Sequence, residues 1–252
     1  MSKLGAITFD FHETLASCDT WFELEVRTLP ASVVRLMPSG ALSGGTIPNE
    51  GVINDAYRGL RTEIVGHGIE MDALAGVEET LRRLGLHGDR VIVRTIIDDL
   101  MRDALVDVRP KPGAIETVRS LSAQGYTMGV VSSAVHHPFL LWVLEAFAIL
   151  PLFATVVTSA HAGFYKSQPE IYRQALDDLG VDAVDACHVG DSLRWDHLMA
   201  KSIGMRTVLV SSKQPELEAE QPAPDLHLRS LVESAPAISA AASTSSTSTN
   251  GR

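Results

Sequence analysis

Between residue 109 and about residue 212 the chain alternates short apolar, β-branched runs with helix-length amphipathic stretches, and this alternation decides the fold class. Met128–Val131, Thr155–Val157 and Thr207–Val210 are near-continuous apolar runs, Ala186–Val189 is a weaker one, and Ala6–Phe9 stands far upstream. Runs this short, without polar alternation, suit strands of a parallel sheet buried on both faces. Between them, Ala114–Ala123 carries Ile115, Val118 and Leu121 on one helical face after Pro112-Gly113. Glu170–Leu179 carries Ile171, Ala175 and Leu179, follows Pro169 and stops at Gly180. The expectation is an α/β, Rossmann-like parallel sheet with right-handed crossovers. Such a sheet binds ligands off the carboxyl ends of its strands.

Residues 16–108 break the rhythm. They read as helical over Trp21–Arg27, Glu50–His67, Ala73–Leu84 and Arg90–Val106, with loops at Pro38-Ser39-Gly40 and Ser43-Gly44-Gly45. The expected organisation is a catalytic core of residues 1–15 and 109–233 with an all-α insertion over 16–108. Residues 234–252 are almost entirely Ala, Ser and Thr, with little to bury against the entropy of ordering, and are expected to be a disordered tail. The 252 residues are 45% apolar, enough for a substantial core. A formal charge of −10 argues against nucleic acid as a partner, because phosphate backbones need a basic stripe. Two distant cysteines make no disulfide framework and suit a reducing compartment. An acid interrupts the short N-terminal apolar stretch, and no apolar run is long enough to span a bilayer. A cytoplasmic protein without a membrane or nucleic-acid partner is expected.

Chemistry gathers at the strand ends. Asp10 directly follows the first run, Ser132-Ser133 follow the second, and Lys166 lies after the third. His188-Val189-Gly190-Asp191-Ser192 ends the fourth, with another acid at Asp196. A carboxylate nucleophile, carboxylates for a hard cation, a hydroxyl and an ammonium are the parts that phosphoryl transfer requires.

Four motifs in this order, FDFHETL (Phe9–Leu15), VVSS (Val130–Ser133), Lys166 in FYKSQPEIY and VGDSLRWD (Val189–Asp196), resemble the haloacid dehalogenase superfamily. The resemblance spans residue 6 to about residue 212, in the branch with a helical cap inserted after the first strand. It implies that Asp10 is the nucleophile forming an acyl phosphate, that Ser132 binds the transferring group and that Lys166 offsets its charge. It also implies Mg²⁺ held by Asp10, Asp191, Asp196 and the backbone carbonyl of His12. The implied partner is a small phosphorylated substrate.

His12 departs from the family pattern, which has a second Asp there as acid and base, and Glu13 stands where Gly is common. Histidine performs proton transfer near neutrality, so His12 is the candidate replacement. The alternatives are a metal-independent 2-haloacid dehalogenase using the same Asp10, or a non-hydrolytic binding or regulatory member. Dehalogenases of the family have Tyr where His12 stands and lack the acid at Asp191. A phosphonate hydrolase needs a cap lysine, and residues 16–108 contain none. His136-His137 is expected to be no metal pair, because helical neighbours face apart. Arg58, Arg61, Arg82 and Arg83 are expected to lie on solvated helix faces.

Overall fold

A computed structural model describes residues 5–243. Its principal sheet has six parallel strands in the order Leu226–Leu228, Arg206–Val210, Ala186–Gly190, Ala6–Phe9, Thr127–Ser132 and Thr155–Thr158. The α/β, Rossmann-like expectation therefore holds. Ala6–Phe9 is central, and Phe9 lies in register with Val130 on one side and Val189 on the other. One residue beyond that line stand Asp10, Val131 and Gly190, the last two still paired with Val157 and Leu209. That register builds the candidate site.

Alternating side chains of the central strand go to opposite faces. Ile7 and Phe9 join one apolar cluster, and Ala6 joins another with Val131, Ile171 and Tyr172. The first cluster continues without a break into the helical residues Trp21, Leu60, Val77, Ile97 and Met101. Residues 16–108 are thus packed onto the sheet's face by the same core. Their longer helices are Leu29–Leu36, Glu50–His67, Ala73–Arg83 and Arg90–Asp103. Asn49, Asp72 and Asp89 cap the last three by accepting from first-turn N–H groups. A two-residue antiparallel pairing, Ala16–Ser17 with Arg109–Pro110, lies where the chain leaves and rejoins the sheet.

The structure differs from expectation in four places. Trp21–Arg27 is not one helix: Asp19–Glu23 runs into a π-helical turn, Leu24–Thr28, and a further helix starts at Leu29 with Pro30 in its first turn. Leu42–Gly44 pairs with Leu86–Gly88, so the insertion contains a small antiparallel ribbon and is not all helix. Leu226–Leu228 adds a sixth strand. Part of the supposed disordered tail is ordered: Ala235–Ser243 forms a helix. Ile238 is fully buried there, flanked by buried Ala235 and Ala242. Small side chains let this helix lie close against the sheet and the Ala114–Ala123 helix. Thr117 Oγ1 to Ser234 Oγ at 3.1 Å and the Tyr126 hydroxyl to Ser239 Oγ at 2.9 Å fix it. A composition count weighs one isoleucine lightly, but the core cluster on the sheet's face buries it completely. The rest of the expected tail, 244–252, lies outside the described residues.

Candidate active site

The central strand delivers Asp10 to the carboxyl edge of the sheet, where its N–H donates to Val189 O at 2.8 Å. Lys166 reaches the same point from the loop after Thr155–Thr158. Its Nζ donates to Asp10 Oδ1 at 2.5 Å and to Asp196 Oδ1 at 2.6 Å. The ammonium is 3% exposed and has two carboxylates for company. Burial alone would lower its pKa, but Asp10 and Asp196 hold it well above the lysine range, so it stays charged.

Asp196 sits on the π-helical turn Leu193–Leu198. Its Oδ2 accepts from Ser192 N at 2.9 Å, and His188 Nε2 lies 3.2 Å from its Oδ1. Thr8 Oγ1, 2.8 Å from His188 Nδ1, completes a chain running back into the sheet. Burial opposes ionisation of Asp196, yet Lys166 and the His188 hydrogen bond hold its carboxyl well below the usual range. Gly190 is required here: a Cβ on it would fall 2.3 Å from Asp196 Cγ. Buried His188, a polar residue interrupting an apolar strand run, was the one available sequence signal of this supporting network.

Asp191 completes the acidic group. Carboxylate oxygens of Asp10, Asp191 and Asp196 lie within 4.8 Å of one another. Burial, then the charges of Asp10 and Asp196, push the Asp191 carboxyl up to about 8. Burial also pushes Asp10 up, against the pull of Lys166. Asp10 Oδ2 is buried with no hydrogen-bond partner. One lysine thus faces three carboxylates, and one buried oxygen is unsatisfied. An all-oxygen donor set with surplus negative charge fits a hard divalent cation such as Mg²⁺.

His12 lines the same cavity, its ring stacked on Phe22 at 4.5 Å and beside Trp21 at 5.6 Å. Its Nε2 has no partner. Burial lowers its pKa, with Glu13 and Asp19 pulling the other way. Glu13 has φ +62°, a left-handed conformation that glycine adopts readily and glutamate at a cost of ~1 kcal/mol or more. Its side chain is held by Lys111 at 2.8 Å.

The cavity, about 130 Å³, brings together Asp10, His12, Ser132, Lys166, Asp191 and Asp196, every residue singled out from the sequence for this site. The lining also includes Trp21, Phe22, Glu25 and Arg61 of the helical segment, Tyr165 beside Lys166, and Trp195 of the π-helical turn Leu193–Leu198. Arg61 corrects the expectation of a solvated face. It is 8% exposed and forms a bidentate pair with buried Glu70. Arg58, Arg82 and Arg83 do form exposed pairs with helix acids. His136 and His137 lie elsewhere, in a separate cleft of about 340 Å³ with Asp98 and Arg94. There His136 caps a helix by accepting from Phe139 N and bonds Asp98 at 2.8 Å. Among the described residues no helix is long and apolar enough to cross a membrane.

The family of haloacid dehalogenase-like hydrolases matches residues 4–204. A haloacid dehalogenase-like hydrolase domain-containing protein 3 from Danio rerio is 35% identical over 117 residues, 46% of this chain and 48% of that protein. The chain thus spans about half the length of that relative. A glyceraldehyde 3-phosphate phosphatase from Methanocaldococcus jannaschii is 27% identical over 86% of this chain and 90% of its own length. Among solved structures, a 2-haloacid dehalogenase from Pseudomonas syringae superposes with a TM-score of 0.66 at 20% identity, covering 94% of this chain and 98% of that one. A HAD phosphatase from Thermococcus onnurineus gives 0.57 at 20% identity, covering 90% and 94%. Phosphatase and dehalogenase thus share this fold.

Proposed function

Because the chain belongs to the haloacid dehalogenase-like hydrolases, we propose that it is a Mg²⁺-dependent phosphatase of a small phosphorylated metabolite, working through an aspartyl phosphate on Asp10. The observation that carries this reading is the surplus of carboxylate over cation around Asp10, with Asp10 Oδ2 unsatisfied. A metal-independent reaction on an uncharged carbon–halogen bond has no use for a third, half-buried acid at Asp191. Names of relatives such as the archaeal phosphatase support a phosphomonoester.

Asp10, Asp191, Asp196 and the His12 carbonyl would hold Mg²⁺, which when bound neutralises carboxylates and phosphoryl oxygens. Asp10 attacks phosphorus, and an Asp10 O–P bond forms as the bond to the ester oxygen breaks. Ser132 donates a hydrogen bond to a phosphoryl oxygen, and Lys166 balances the charge gathered between Asp10 and the phosphate. His12 gives its proton to the departing oxygen and takes one from the water that then cleaves the acyl phosphate. Residues 16–108 serve as the cap, with Trp21 and Phe22 excluding bulk water.

The test is phosphate and chloride release from a panel of phosphomonoesters and from 2-chloropropionate, with Mg²⁺ or with EDTA. Phosphate should appear only with Mg²⁺, vanish with EDTA and return when Mg²⁺ is restored. Chloride release that survives EDTA would establish the dehalogenase instead. Silence on both, with Asp10→Asn binding ligands as well as wild type, would establish a binding protein.

The proton role of His12 makes a separate prediction. His12→Ala should lose ~10²–10³-fold in kcat on an alkyl phosphate, whose leaving oxygen needs a proton. It should lose far less in the first-turnover burst with a nitrophenyl ester, whose leaving group needs none. Equal losses in both would make His12 a packing residue.

A further inference from the structure

Glu25 has no place in the mechanism above, yet it lines the cavity. It stands on the π-helical turn Leu24–Thr28, an irregularity that often marks functional positions. Tyr57 fixes this turn from outside, its hydroxyl donating to Glu25 O at 2.8 Å. Only 2% of the residue is exposed. Glu25 Oε2 is buried without a hydrogen-bond partner. A buried polar atom left unmatched is rare, and one on a residue that lines a cavity calls for a partner to complete it.

Arg61, the cation nearest in charge terms, is already occupied. Its Nη1 and Nη2 donate to Glu70 Oε1 and Oε2 at 2.6 and 3.0 Å. Met71 N at 2.8 Å and Ser159 Oγ at 2.9 Å tie Glu70 down in turn. Turning Arg61 toward Glu25 or a ligand would strand Glu70 as a buried, uncompensated charge. Glu25 is left as a second acid beside a satisfied pair. Burial and then the charge of Glu70 push its carboxyl well up, against the pull of Arg61.

We propose that Glu25 reads an uncharged oxygen, hydroxyl or carbonyl, on the organic part of the substrate, which makes the preferred substrates short phosphate esters with polar but uncharged tails. This deepens the phosphatase reading and rests on it. A carboxylate tail would need an arginine fork, and the one at hand is taken by Glu70. An ammonium tail would face the Arg61 guanidinium in the same lining. An alkyl tail would leave Oε2 unmatched. A cavity of about 130 Å³, walled by Trp21 and Trp195, lies far below the ~300–1,000 Å³ of sites for drug-sized ligands. Three-carbon esters therefore fit inside it, whereas hexose and nucleotide esters would extend beyond it.

The experiment compares kcat/KM with Mg²⁺ for wild type, Glu25→Gln and Glu25→Met. The substrates are glycerol 3-phosphate, propyl phosphate, phosphoglycolate, phosphoethanolamine, glucose 6-phosphate and AMP, with acetyl phosphate as the smallest test of turnover. Wild type should favour glycerol 3-phosphate over propyl phosphate by ~10-fold or more, with the charged and bulky esters at least as far behind. Glu25→Met should bring the glycerol-to-propyl ratio close to unity. Glu25→Gln, whose amide still donates, should keep most of it. The ratio is internal to each variant, so partial loss of folded protein cancels. Acetyl phosphate turnover without that preference, or a preference that survives Glu25→Met, would overturn the role of Glu25 and leave the phosphatase standing. No phosphate from any ester, acetyl phosphate included, would overturn both.

Discussion

Asp10→Asn should abolish phosphate release, with kcat falling by ~10⁴-fold or more, while the protein stays folded. The amide matches the carboxylate in shape, and its oxygen still accepts from Lys166 where Asp10 Oδ1 does now, at 2.5 Å. What disappears is the proposed oxygen nucleophile and one negative charge. Because Asp10 is 6% exposed and its Oδ2 is unsatisfied, that charge is a burden on the fold. Stability and activity therefore move apart, and the thermal midpoint should hold or rise. Asp10→Ala should be equally inactive and guards against deamidation returning the native residue. Phosphate release in a single turnover and a melting curve on the same preparation read both effects. Retention of more than ~1% of the wild-type rate in both variants would remove Asp10 as nucleophile.

Residues placed by the backbone alone were legible from the sequence. Ala6–Phe9, Ala114–Ala123 and Glu170–Leu179 begin and end where their apolar spacing says. Gly180 closes the last in the left-handed conformation, φ +63°. Because register aligns the strand ends, a place at or directly after the last strand residue was enough to locate Asp10, Ser132 and Asp191. Residues placed by a partner far along the chain were not legible. Arg61 has the same helical surroundings in sequence as Arg58; Glu70, beyond the turn at Gly68, makes one buried and leaves the other exposed. Glu25 defeats periodicity for another reason. A π-helical turn takes up more residues than an α-turn and rotates the following face, so a residue that reads as outward ends up inside. The helix Ala235–Ser243 shows the limit of composition, which has no means of knowing that Ile238 meets a waiting core cluster on the sheet's face.

Lys166→Met should lower kcat by ~10³-fold and destabilise the protein by ~3–5 kcal/mol near neutral pH. Methionine can fill most of the volume, so the effects report charge. Without the ammonium, Asp10, Asp191 and Asp196 face one another with only the His188 contact and the Ser192 N–H, both at Asp196, in support. Asp196, now held well below the usual carboxylate range with Lys166 as the leading favourable influence, loses that influence and rises. In wild type its depressed pKa contributes stability above the unfolded value near 4, and this is lost as pH falls through the folded value. In Lys166→Met the sign inverts. Carboxyls raised in the fold are tolerated while protonated, and stability is lost as pH rises through their folded pKa values. The gap in thermal midpoint between the two proteins should therefore widen from acid to neutral pH. Mg²⁺ supplies the same missing charge, so it should raise the midpoint of Lys166→Met more than that of wild type, without restoring turnover. A gap that is constant with pH and indifferent to Mg²⁺ would mean that Lys166 acts through packing, and that the surplus of carboxylate plays no part in cation binding.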